Sequence, residues 1–185
     1  MRRFLVSFIA MMFFSSTGVQ AEVRPSQALT YHKLDATTQD KVKNNAAFKL
    51  LVPKSIPNEW TVELKYPYPL DTTKPIQRII LNYFDKEENF MFGLEQHNAV
   101  GYIMKKEVIN IDARTNKSSR TIVEEEFKFD TSGERLDISG IEARFTPWAD
   151  KTPGGYLRWV QDGTYIEMLS YLPEKNMLKI AQSVK

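Results

Sequence analysis

From Trp60 onward the hydrophobic pattern has a period of two. Trp60, Val62, Leu64 and Tyr66 alternate with Thr61, Glu63 and Lys65, as a strand with one buried face requires. Pro67 and Pro69 end it, because proline brings no N–H to a sheet ladder. Ile76 to Phe84 reads as a second strand, apolar on both faces and therefore central. Asp85 to Asn89 is a polar turn, and Phe90 to Gln96 pairs back with Phe90, Phe92 and Leu94 on one face. Ala99 to Ile111 holds a short strand or two, and Asp112 to Arg120 a polar loop. Thr121 to Phe129 is a strand on which Val123, Phe127 and Phe129 share a face with Glu125. Thr131 to Glu134 turns the chain, and Ile141, Ala143 and Phe145 then alternate with Glu142 and Arg144. A hairpin follows: Tyr156 to Gln161, the turn pair Asp162-Gly163, and Thr164 to Ser170. Trp159 shares a strand face with Leu157 and is expected in the core.

Helical spacing flanks these strands. Asp35 to Phe48 is a short helix, with Asp35, Thr37 or Thr38 as cap and Val42 and Ala46 four apart on one face. Pro53 and Pro57 bracket an extended connector, residues 51–58. At the other end, Pro173 suits the first helical position and Glu174 the positive end of the helix dipole. Met177, Ile180, Ala181 and Val184 then form an apolar stripe at helical spacing. A helix, many antiparallel strands and a helix predict an α+β domain: a curved antiparallel β-sheet with an N-terminal and a C-terminal helix packed on one face.

The front of the chain has a different character. Met1-Arg2-Arg3 precedes an apolar run from Phe4 to Phe14, then Ser15, Ser16, Thr17 and Gly18, and a small-residue exit at Ala21. This is the pattern of a signal peptide, and the run is short of the ~20 residues a membrane helix needs. The expected organisation is a leader at 1–21, a flexible lead-in at 22–34 and one domain at 35–185. No transmembrane segment is expected after cleavage near Ala21, and the mature protein is expected to be secreted or associated with the cell wall.

Cleavage also changes the charge. Residues 1–21 carry two arginines and no acid, so a chain of net charge +2 becomes neutral. A neutral domain has no electrostatic footprint for nucleic acid. Cysteine is absent, which excludes a disulfide framework and a lipid-modified bacterial N-terminus, and fits a bacterial exported protein better than an animal one.

Candidate chemistry is sparse. His32 and His97 are the only histidines, too few for a zinc site without convergent carboxylates. No calcium loop, phosphate-binding glycine loop or nucleophile-elbow serine occurs. No metal, cofactor or catalytic residue is therefore assigned. Glu124 and Glu126 with Lys128 read as a solvated strand face. Glu125, among apolar neighbours, is expected either to sit at the sheet margin or to pair with a cation such as Arg78 or Arg144. The candidate binding residues are aromatic: Trp148 and Tyr156 beside the glycines at 154 and 155, and Tyr68 in the stiff segment Tyr66-Pro67-Tyr68-Pro69.

The run Leu51-Val52-Pro53-Lys54-Ser55-Ile56-Pro57-Asn58-Glu59-Trp60 resembles the opening of a domain of unknown function from Gram-positive bacteria. Trp159 to Tyr165, followed by Leu178 to Ser183, resembles that domain's closing hairpin and helix. The resemblance spans about residues 48–184. The family is seen in exported proteins, including extracytoplasmic parts of anti-sigma factors and lipoproteins. It brings no catalytic residues. The sigma-binding segment and interdomain membrane helix of the anti-sigma members have no counterpart here. The resemblance implies an exported binding or sensory module of the cell envelope. Its partner is expected to be a wall component or another envelope protein. The alternatives are a wall-polymer hydrolase using Glu125 and a second acid, and a secreted structural or inhibitory protein.

Overall fold

The structure, a computed structural model, describes residues 31–65, 75–112, 114–115 and 117–185. The signal-peptide segment and Tyr68 lie outside the described residues. Among the described residues, ten strands and two helices follow in the order β1 (Tyr31–Lys33), α1 (Ala36–Asn45), β2 (Thr61–Lys65), β3 (Arg78–Phe84), β4 (Phe90–Asn98), β5 (Ile103–Asp112), β6 (Lys117–Glu126), β7 (Glu134–Ile138), β8 (Ile141–Pro147), β9 (Gly155–Gln161), β10 (Thr164–Ser170) and α2 (Glu174–Ala181). Eight strands make one antiparallel sheet in the order β1-β2-β3-β4-β10-β9-β8-β7, while β5 and β6 pair with each other as a separate ribbon. This is the α+β class the pattern predicts, with a helix near each end.

Period-two patterning decides the inner face. Leu64, Ile79, Leu81, Phe92, Leu94, Leu157, Trp159, Ile166 and Met168 are fully buried there with Met177, Ile180 and Ala181 of α2 and Val42 of α1. Trp159 is in the core as expected, its Nε1–H donating to Gln161 at 3.2 Å. Asp35 caps α1, its carboxylate accepting from Thr38 N at 2.7 Å. Pro173 is the cap of α2 and not its first helical residue, since its backbone is still extended (φ −53°, ψ 145°).

The connector between α1 and β2 crosses the inner face and is tied down by hydrogen bonds. Buried Gln96 on β4 accepts from Leu51 N at 2.9 Å and donates to Leu51 O at 2.8 Å. Thr164 donates to Lys49 O at 2.8 Å, and Asn98 to Ala47 O at 2.7 Å. Val52 and Lys185 exchange backbone bonds at 3.2 and 3.1 Å, so the C-terminal residues pair with the connector.

The structure departs from the pattern at five places. Tyr31–Lys33, inside the stretch expected to be a flexible lead-in, are an edge strand paired with β2. A register shift between Tyr83 and Phe84 turns Phe90 away from Phe92 and Leu94; its ring lies over Gly93, 3.6 Å from where a Cβ there would sit. The polar stretch 112–120 is mostly strand, because β5 and β6 each run ten residues. β6 ends at Glu126 and is exposed along its whole length, so Val123 and Glu125 are not on a buried strand face with Phe127 and Phe129. Finally, Glu134–Ile138 is a strand joined to β8 through Ser139-Gly140, whose φ values of 54° and 88° match the Asp162-Gly163 turn at 51° and 77°.

Candidate functional site

Both helices contribute to the core on the inner face, so the outer face of the sheet is open to other uses. Its side chains fall in rows set by the register. One row crosses six strands: Ile80, Glu95, Glu167, Arg158, Arg144 and Arg135 are successive cross-strand partners. Two acids thus stand side by side, followed by three arginines. Like charges directly opposite one another destabilise a sheet, and all of them except Glu167 are paired with an opposite charge from outside the row. Arg78 bonds Glu95 at 2.5 Å. Arg158, 8% exposed, is held by Asp130, by Thr146 Oγ1 at 2.6 Å and by Ser132 O at 3.4 Å. Glu142 holds Arg144 at 2.5 Å and Arg135 at 2.9 Å.

Among the described residues no cation is bonded to Glu167. Its carboxylate accepts from the Tyr165 hydroxyl at 2.9 Å. Burial raises its pKa above the usual carboxylate value, and the neighbouring charge of Glu95 adds to this. The Tyr165 bond and the charges of Arg158 and Arg78 oppose the shift. Burial, then Glu167, pushes the Tyr165 hydroxyl up as well. Asp130 moves the other way, to about 2, through bonds from the Ser132 N–H and hydroxyl and then from Arg158.

One end of this face is covered by the strap that follows the ribbon. Phe127 packs on Tyr165 at 4.5 Å and on His97 at 4.5 Å; Tyr102 stacks on His97 at 4.0 Å. Burial chiefly lowers the His97 pKa. The opposite end is aromatic. Trp148 packs edge-on against Tyr156 at 4.8 Å and stacks with Tyr171 at 5.4 Å, and its Nε1–H donates to Ser170 O at 3.1 Å. Tyr171 is 56% exposed. Gly154 and Gly155 make this corner possible, having φ values of 94° and 151° while the chain passes β10 and β8 at close range. Tyr156 and Arg158 are two residues apart on one strand face, so the aromatic corner and the charged row are neighbours.

Of the residues expected from the sequence, Trp148 and Tyr156 therefore meet, and Tyr171 joins them. Glu125 is bound to neither Arg78 nor Arg144: it is exposed on the ribbon and bridged to Lys106 at 2.5 Å, which lowers its pKa. The acids that do share an enclosed surface are Glu95 and Glu167. A mid-strand glutamate flanked by Ile166 and Met168 was the available signal for Glu167. A second groove, of about 610 Å³, lies between the connector, β4 and α2 and is lined mainly by Ile56, Pro57, Trp60, Met91 and Leu172, with Lys179 its one charged side chain. Ser55 and Asn176 add uncharged polar groups to its wall. Among the described residues no cluster of three or more His, Asp or Glu side chains is arranged to hold a metal ion, and no helix is long and apolar enough to cross a membrane.

Glu167 and Asp130 contribute opposite pH dependences. Glu167 has a folded value above its unfolded one, so its contribution is fully present below pH 4.5 and is lost as the pH rises through the folded pKa. Asp130 is the reverse: its contribution is present above pH 3.8 and is lost as the pH falls towards 2. Glu167→Gln keeps an acceptor for Tyr165 and removes the charge. Thermal melts should show a higher Tm than wild type at pH 7 and no difference at pH 4. Identical profiles would show that Glu167 titrates alike in the folded and unfolded chain.

An antiparallel sheet with helices on one face and a polar, aromatic-edged surface on the other defines a small α+β module that presents a sheet face. The chain belongs to the family described as Domain of unknown function (DUF4367), whose model matches residues 70–184. That range includes the closing hairpin and helix and leaves out Leu51–Trp60. No curated protein and no solved structure gives a significant match.

Proposed function

We propose that this protein is an exported, non-enzymatic binding module of the bacterial cell envelope, which holds a saccharide-containing wall component against the outer face of its sheet. One observation carries the reading: the Trp148–Tyr156–Tyr171 corner adjoins the Glu95–Glu167–Arg158 row on the face opposite the helix-packed core. Aromatic faces pack against the apolar faces of sugar rings, while carboxylates and guanidinium groups bond the hydroxyls around them. Export rests on the basic, apolar and small-residue succession of residues 1–21, with removal near Ala21. The bacterial setting rests on the absence of cysteine, and the Gram-positive one on the resemblance of residues 48–184.

Retention on purified wall sacculi, compared with washed membranes, tests this. Wild type should be retained on sacculi, and Tyr171→Ala and Trp148→Ala should each weaken retention about tenfold, or about 1.4 kcal/mol. Retention on membranes alone, or equal retention of variants and wild type, overturns the reading.

A second reading, a wall-polymer hydrolase, is favoured by the raised pKa of Glu167 directly across from Glu95. A carboxyl whose pKa is raised, set across from a second carboxylate, is the kind of pairing glycoside hydrolysis uses. In that case Glu167→Gln abolishes release of soluble fragments from sacculi while retention survives.

A further inference from the structure

The ribbon β5–β6 takes no part in the eight-stranded sheet and pairs only within itself. A two-stranded hairpin alone in water is at best marginally stable, yet this one runs ten residues on each strand. The register sorts its side chains into two faces. One carries Lys106 opposite Val123 and Met104 opposite Glu125, with Lys106 and Glu125 bridged. The other carries Ile103, Ile109, Ile111 and Ile122, each between 45% and 69% exposed.

Charge is distributed along the ribbon and not only across it. Its root, residues 103–107 and 122–126, holds two lysines and four glutamates. Its tip, residues 108–121, holds Arg114, Lys117 and Arg120 against Asp112. The ribbon is neutral as a whole, at −2 near the root and +2 near the tip. On the isoleucine face Glu126 and Glu124, the latter bridged to Lys105 at 3.0 Å, stand towards the root and Arg120 towards the tip. A surface of this kind is complementary to itself turned end for end.

We propose that the ribbon is a self-association arm: two copies of this chain pack their isoleucine faces together antiparallel, the tip of each over the root of the other. The two-fold contact is isologous, with one patch serving both partners. Ten residues span about 33 Å, and a ribbon face of that length is at the low end of interface sizes, so the dimer is reversible and weak. A neutral arm with three successive glutamates, Glu124 to Glu126, is poorly suited to an anionic lipid surface.

Sedimentation equilibrium of the intact protein from about 1 μM to about 1 mM tests this. Wild type should show a monomer–dimer equilibrium that weakens with salt. Ile109→Lys and Ile122→Lys should each weaken it about a hundredfold, with the Tm of the domain unchanged because the arm is outside the main sheet. Arg120→Glu should remain monomeric, as should Glu124→Lys combined with Glu126→Lys. An equimolar mixture of these last two proteins should dimerise within about tenfold of wild type. The proposal fails if wild type is monomeric throughout, if the isoleucine variants associate unchanged, or if the mixture does not pair. Binding of the monomer to lipid vesicles without self-association would likewise overturn it.

Discussion

Gly154→Ala is expected to destabilise the protein by roughly 4 kcal/mol and to lower its Tm by about 10 °C. Two costs combine. The residue has a φ of 94°, which an L side chain rarely adopts, and a Cβ would stand 2.1 Å from Ser170 O and 2.9 Å from Tyr171 Cα. Both obstacles are backbone, so no rotamer change relieves them. The clash falls where β10 ends and the loop carrying Trp148 comes to rest, with Trp148 N donating to Gly154 O at 3.3 Å. The aromatic corner should therefore loosen with the fold: tryptophan fluorescence would shift towards that of exposed indole, alongside the fall in Tm. Gly140→Ala is the control. Its φ is also positive, at 88°, but nothing lies within 4 Å of a Cβ there, so it bears the strain without the collision. Equal melting temperatures for the two variants would remove the close approach from the account.

Gln96→Leu should cost roughly 3 kcal/mol, because it leaves two buried backbone groups without partners. Gln96 is fully buried and its amide closes both bonds to Leu51, as acceptor and as donor. Leucine fills similar space and satisfies neither. The lost bonds join β4 to the connector that brings α1 across the sheet, so the N-terminal helix should release before the rest. Hydrogen exchange would show this directly: Leu51 N–H should lose protection first while the β9–β10 amides keep theirs. Uniform loss of protection would mean that the connector and the sheet unfold as one unit.

What the sequence disclosed was local. The α2 stripe at Met177, Ile180 and Ala181, the Asp162-Gly163 hairpin and the alternation in β2 and β8 follow from spacing alone, and each is found at nearly the expected residues. The failures have a common cause. Phe90 changed faces because β4 itself carries one extra residue, Met91, opposite the Tyr83–Phe84 step of β3, a bulge that no alternation of residue types announces. β5 and β6 gain strand structure from pairing with each other, over residues too polar to signal it. The candidate site depends on long-range register: Glu95 and Glu167 become neighbours only because β4 pairs with β10. Trp148 and Tyr156 were legible since one short, glycine-containing loop links them; Asp130 and Arg158 were not, because a strap from the far side of the ribbon brings them together.

The partnership of β4 with β10 has a consequence for biogenesis. The middle of the sheet is completed by the last strand to be synthesised, and every strand from β1 to β4 must wait for residues 164–170 before that seam can close. Non-local closure of this kind is slow. A chain still emerging from the ribosome thus has no finished core to lock it, and under the proposed export this would keep it threadable until its final strand has passed.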